Sequence, residues 1–176
     1  MNVIVRPGMS RADFLAWERE QPLKHEFDGT QQIPMNGVSI AHARLVRRIM
    51  EALYRLLPAG YEAFGGSLKV LTAPNRVRYP DVAVTQADPQ ADGDIVDPVV
   101  VFEVLSPSTM QTDLRVKPAE YATVASLLAY VILPQDTAAG AAVLRRTTGW
   151  AAEALAERLD LPEIGVAIPL RELYPN

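Results

Sequence analysis

Apolar side chains at Ile40, Leu45, Val46, Ile49, Met50, Leu53, Leu56 and Leu57 recur every three or four residues, and this period predicts an amphipathic helix over residues 38–57. Ser39 is placed to cap its start, and Pro58 with Gly60 closes it. A shorter helix is expected after Ser10, where Phe14, Leu15 and Trp17 form an apolar face, Asp13 follows the capping position by three residues, and Pro22 ends the run. Between these helices, residues 24–35 alternate around Asp28-Gly29, a dipeptide that marks a tight hairpin turn. Glu26 stands just before that turn.

Beyond the long helix the period shortens to that of strands. Residues 61–71 read as two strands interrupted by Gly65-Gly66, with a turn at Pro74 and Asn75. Residues 82–85 and 99–105 are rich in β-branched side chains and bounded by Pro, Asp and Gly, so they read as two central strands. A helical stretch over residues 119–127, strands at 129–133, 141–146 and 150–155, and a turn at 170–174 complete the chain. This order predicts an α/β or α+β domain built on a mixed sheet flanked by helices. With no internal repeat or linker, all 176 residues are expected to form a single domain.

Composition narrows the chemistry. The absence of cysteine excludes disulfides and thiolate zinc sites. No apolar run approaches the ~20 residues needed to span a bilayer, and the N-terminus lacks a basic-then-apolar leader, so a cytoplasmic protein without membrane contact is expected. A net charge of −4 lends no support to nucleic-acid binding, which draws on clustered Lys and Arg. Enzymes that act on DNA through a bound metal can keep their basic groups local, however, and Arg44, Arg47, Arg48 and Arg55 recur at helical spacing. Those arginines read first as a solvated helix face.

Asp81 and Glu103 introduce carboxylates into the two central strands. Residue 92 lies midway between them, inside the polar loop, so a symmetric antiparallel hairpin sets Asp81 opposite Glu103 with their side chains on one face. Paired acids there need neutralisation, and a hard divalent cation such as Mg²⁺ takes one or two carboxylates together with waters and a substrate phosphate. The Val104 carbonyl offers a further ligand. The plainer alternative places both carboxylates at strand ends, facing water. His42, on the long helix, reads as a packed or solvated residue unless it approaches this site. Asp88, Asp92, Asp94 and Asp97 lack the calcium-loop spacing and read as a solvated loop. Ser106 and Ser108 read as satisfying backbone groups where strand gives way to loop.

The run RYPDVAVT, followed by VVFEVLSPST and then Asp113, Lys117 and Tyr121, resembles the Uma-two family of restriction-type endonucleases, a branch of the PD-(D/E)xK nuclease superfamily. The resemblance extends to the helix with Phe14 and Leu15, to HEFDG at residues 25–29 and to His42. It implies a restriction-endonuclease-like mixed sheet, Mg²⁺-dependent hydrolysis of phosphodiester bonds with Mn²⁺ as an alternative ion, DNA as substrate, and a homodimer. Carried over, Asp81 and Glu103 are metal ligands and Glu26 is the acid contributed by the N-terminal region. The superfamily's usual lysine position is Leu105 here, and Lys117, fourteen residues beyond Glu103, returns the ammonium from the following helix. Pro118 suits the first helical position, which leaves Lys117 at the cap. The stretch SLLAYVILP lacks the acids common around the family's matching strand. A catalytically eroded, noncatalytic binding or assembly module on the same fold is therefore the competing reading, and binding of Mg²⁺ or Mn²⁺ separates the two.

Overall fold

The structure, a computed structural model, describes residues 4–5, 8–35, 37–73, 75–88, 93–106 and 114–175. Pro74, Asp92, Pro107, Ser108 and Asp113 lie outside the described residues. A short strand β1 (Ile4–Val5) precedes helix α1 (Arg11–Glu18), whose start is fixed by a capping box in which Ser10 and Asp13 exchange side-chain and backbone bonds. Strands β2 (His25–Phe27) and β3 (Gln31–Pro34) form the expected hairpin. Asp28 accepts the Thr30 and Gln31 N–H groups, and Gly29 adopts φ +93°, a conformation that glycine reaches without a Cβ penalty.

Helix α2 (Ile40–Leu56) begins at Ser39, whose hydroxyl accepts the His42 N–H, and it buries His42, Leu45, Ile49, Ala52 and Leu53. Strands β4 (Tyr61–Gly65), β5 (Val70–Thr72), β6 (Arg76–Arg78), β7 (Val82–Gln86) and β8 (Val100–Leu105) follow. Helix α3 (Lys117–Tyr121) leads to β9 (Ala129–Pro134) and β10 (Ala142–Arg145). A single 3₁₀ turn (Arg146–Thr148), β11 (Ala152–Ala154), β12 (Arg158–Leu161), β13 (Val166–Pro169) and helix α4 (Leu170–Leu173) end the fold.

The strands form three sheets, ordered β1-β3-β2-β6-β5, β11-β10-β9-β8-β7-β4 and β12-β13. The central pair runs antiparallel with Val82 opposite Phe102, Ala83 opposite Val101 and Val84 opposite Val100. This is the register expected from the midpoint at residue 92, and extended by one residue it sets position 81 against 103. β8 runs parallel to β9, so it lies inside the sheet with neighbours on both edges, and all six of its residues are buried. Val100, Phe102 and Val104 face the core formed with α2, β12 and β13, whereas Val101 and Leu105 face a second cluster with Tyr121 and Leu127. Alternation therefore turns Glu103 toward α3.

Three expectations change. The helix near residues 119–127 is the five-residue α3, and residues 122–128 make turns instead. It starts at Lys117, with Pro118 in the first turn, where a missing N–H costs no helical bond. Strands β1 and β6, together with the β12-β13 hairpin, were not expected, and the hairpin adds Leu159, Leu161, Val166 and Ile168 to the main core. Among the described residues no helix is long and apolar enough to cross a membrane.

Helix α1 is held by a small separate cluster of Phe14, Phe27 and Val77, in which the two phenylalanine rings stack at 4.9 Å. Phe14 is fully buried, so Phe14→Ala is expected to destabilise the protein by about 3–5 kcal/mol. Urea unfolding at constant slope measures this, and a loss below about 1 kcal/mol would contradict the packing.

Candidate active site

The run from Arg78 to Asp81 carries the chain from one sheet to the next. Arg78 ends β6 in the five-stranded sheet, and Asp81 directly precedes β7 in the six-stranded one. The Asp81 backbone is fixed by its carbonyl, which accepts the Gly66 N–H at 2.8 Å. Its side chain spans two elements: Oδ2 accepts the Val104 N–H at 2.7 Å, and Oδ1 lies 3.0 Å from His42 Nε2 on α2. A carboxylate only accepts, so this contact requires Nε2 to carry the proton. His42 Nδ1 is buried with no hydrogen-bond partner among the described residues. Histidine at position 42 thus does approach the site, as the support of Asp81.

Glu103 lies in the middle of β8 with its side chain 4% exposed, and it does not face water from a strand end. Its Oε1 accepts the Tyr121 hydroxyl and the Lys117 ammonium, each at 3.0 Å. Lys117 and Tyr121 are four residues apart on α3 and so share one helix face. Burial, reinforced by the Glu103 charge, pushes the Tyr121 hydroxyl well above its ordinary value, which keeps it a donor. The acids at 81 and 103 are therefore met by protein groups, each from a different helix. Of the carboxylates and amine gathered here, Asp81 is the most open, its side chain 20% exposed against 13% for Glu26 and 7% for Lys117.

Glu26 joins through its position on β2. Its Oε1 lies 3.5 Å from the Lys117 ammonium and accepts the Tyr79 N–H at 3.3 Å, and its Oε2 accepts from Arg78 Nη1 at 2.9 Å. Burial by itself would raise the Glu26 carboxyl, but the charges of Lys117 and Arg78 and the Tyr79 N–H outweigh it and hold the group below its ordinary value. Arg78 also grips Glu120 with two bonds, at 2.6 and 2.8 Å, and Arg76 adds a third at 2.7 Å. Glu103, Lys117 and Glu26 thus form one continuous chain of contacts, while Asp81 attaches to it through the backbone of Val104.

Arg78 and Glu120 did not emerge from the sequence as site residues. The signals that point to them are Arg76 and Arg78 at alternate positions around the buried Val77, and Glu120 three residues after Lys117, where one helical turn brings them near each other. A second charged cluster lies beside this one: the buried Lys69 ammonium is 3.2 Å from Glu18 and also pairs with Asp94, and the Tyr79 hydroxyl donates to Glu18 at 2.9 Å. Burial pushes that hydroxyl up to about 12. Asp94 is a half-exposed loop residue, as expected, and is in addition a partner of a buried lysine. Among the described residues no group of three or more His, Cys, Asp and Glu side chains is arranged to hold a metal.

Comparison with known proteins locates the chain. The model of the family described as "Uma2: Putative restriction endonuclease" matches residues 11–170. In Synechocystis sp. the uncharacterized protein slr1290 is 29% identical over 175 residues, covering 96% of this chain and 92% of its own length. The uncharacterized protein sll1609 from the same source is 30% identical over 137 residues, covering 72% of this chain and 75% of itself. A crystal structure from Anabaena variabilis ATCC 29413, described as a putative nuclease belonging to DUF820, superposes with a TM-score of 0.76 at 14% identity, covering 94% of this chain and 97% of that one. The fold is shared with that structure, and because the family model spans nearly the whole chain, the protein belongs to the Uma2 family.

Proposed function

We propose that this protein is a metal-dependent endonuclease that hydrolyses phosphodiester bonds of DNA. The observation that carries the reading is the Lys117 ammonium, buried 3.0 Å from Glu103 and 3.5 Å from Glu26 although Leu105 occupies the superfamily's usual lysine position. Membership in a family described as restriction endonucleases supports nuclease function in general. A homodimer acting in the cytoplasm belongs to the same reading.

In this proposal Asp81, Glu103 and the Val104 carbonyl hold Mg²⁺, with Mn²⁺ as an alternative occupant. The donor set fits: two carboxylates and a carbonyl are hard oxygen ligands, and Mg²⁺ keeps its remaining positions for water and substrate phosphate. When bound, such an ion supplies Lewis-acid stabilisation of charge on the phosphate. The protein's own groups do the positioning. His42 and the Val104 N–H fix the Asp81 carboxylate, and Tyr121 and Lys117 fix that of Glu103. Lys117 orients the attacking water and opposes the negative charge that develops on the phosphate. Glu26, ionised, keeps the ammonium from withdrawing from the site.

The noncatalytic module remains the second reading, favoured by the net charge of −4 and by Leu105. Titration calorimetry separates the two: the nuclease binds Mg²⁺ or Mn²⁺ near millimolar concentration and Asp81→Ala abolishes that binding, whereas a parent chain that binds neither ion supports the module. With Mg²⁺ and plasmid DNA, parent protein is expected to cleave and Asp81→Ala to be inactive; equal cleavage by both would sink the assignment. Lys117→Met is expected to lower kcat by roughly 10²–10⁴-fold while retaining metal binding. Undiminished turnover in that variant would remove Lys117 from the mechanism.

A further inference from the structure

We propose that Arg78 is the positioning residue of this site, fixing with one guanidinium both the Glu26 carboxylate and the helix that carries Lys117. The inference rests on the nuclease reading of the Glu26, Glu103 and Lys117 cluster and deepens it by assigning a role to a residue whose bonds go to Glu26 and Glu120.

Helix α3 is five residues long, and Val116 at its N-cap makes no side-chain bond. A turn so short and uncapped does not hold itself in place, so its position is set by tertiary bonds. Those bonds point in two directions. Lys117 and Tyr121 reach Glu103, and Glu120 reaches Arg76 and Arg78. Arg78 is 1% exposed and Glu120 2%, so the fork between them is dry and the removal of either partner leaves a buried charge. Arg76, at 30% exposure, shares its charge with solvent and is the weaker tether.

The third bond of the guanidinium bears on the chemistry. Arg78 Nη1 holds Glu26 Oε2, which leaves Glu26 one oxygen, Oε1, to face Lys117. Glu103 is consequently the closer acid, at 3.0 Å against 3.5 Å. Released from Arg78, Glu26 would still be held by the Tyr79 N–H on Oε1 and could turn Oε2 toward the ammonium, drawing it from Glu103. Three planar bonds to two carboxylates are within the geometry of a guanidinium and beyond that of an ammonium, so lysine at position 78 keeps the charge and loses the arrangement.

Two substitutions in the full chain test this, with opposite expected signs. Arg78→Lys is expected to lower kcat roughly tenfold or more with KM little changed, because displacement of a reacting group is felt in the chemical step. In the metal-free protein, the Glu26 carboxyl titration followed by ¹³C NMR moves upward in Arg78→Lys, since its guanidinium partner is gone. It moves downward in Glu120→Gln, where the amide oxygen still accepts from Arg78 and holds the helix, but Arg78 no longer shares its charge with a second carboxylate. If the fork only stabilised the fold, both variants would loosen α3, carry Lys117 away from Glu26 and move its titration upward alike. Folded variants whose Glu26 titrations coincide with the parent's, or shift in the same direction, overturn the proposal, as does a parental kcat in Arg78→Lys. If Arg78→Lys fails to fold, the downward shift in Glu120→Gln supports the role and its absence overturns it. A parent chain without Mg²⁺-dependent cleavage refutes the nuclease reading, and the titrations alone then decide the role of Arg78.

Discussion

Glu103 occupies the interior of a strand whose other five residues are apolar and buried, and an ionised carboxylate there is tolerated only when charged and hydrogen-bonding partners meet it. Much of the surrounding structure follows from that requirement. The parallel pairing of β8 with β9 demands a crossover, and the crossover contains α3, which delivers Lys117 and Tyr121 to the same carboxylate oxygen. The lysine then needs its own environment balanced. Glu26 supplies it from the five-stranded sheet, and Arg78 and Arg76 balance the remaining carboxylates, Glu26 and Glu120. Among the described residues, Lys117, Arg78 and Arg76 with Glu103, Glu26 and Glu120 thus form a largely buried network that ties β2, β6, β8 and α3 together.

The seam between the two larger sheets explains why this network lies beside Asp81. Tyr79 and Pro80 separate a residue that belongs to one sheet from a residue that opens the other, so Arg78 and Asp81 serve different neighbourhoods although they are close in sequence. Asp81 is held by His42 from α2 and by the backbone of β8, on the more solvent-open side. The arrangement is polarised: a buried acid with a buried amine on one side, and a more exposed acid on the other. On the proposed nuclease reading, that asymmetry would keep one group oriented while leaving the other open to substrate and ion.

The elements that were legible in the sequence are those whose signal is local. The period of α2, the Ser39 cap, the Asp28-Gly29 turn and the β-branched runs of β7 and β8 each depend on a few neighbouring residues, and the β7-β8 register followed from symmetry about the intervening loop. β6 was missed because its three residues, Arg76, Val77 and Arg78, offer a single apolar position between two charges, and the burial of both Val77 and Arg78 comes only from the fold. β12, with the sequence RLDL, hides its alternation among charges in the same way. The helix after Lys117 was read too long because apolar residues continue through Leu127, yet those residues reach the second core cluster from turns.

The candidate site divides along the same line. Asp81, Glu103, Glu26 and Lys117 were named from motif and resemblance, and Glu26, Glu103 and Lys117 are brought together with Asp81 adjoining. Two of their supports, His42 and Tyr121, belonged to the same motif, whereas Arg78 and Glu120 were missed, because their pairing spans 42 residues and depends on how two sheets meet. A crystal structure with Mn²⁺ bound, using the anomalous signal of the ion, would test the organisation most directly. A peak ligated by Asp81 and Glu103, with the Lys117 amine still beside Glu103, is the predicted result. A peak ligated elsewhere in a crystal soaked to saturation, with Lys117 holding both carboxylates, would contradict it.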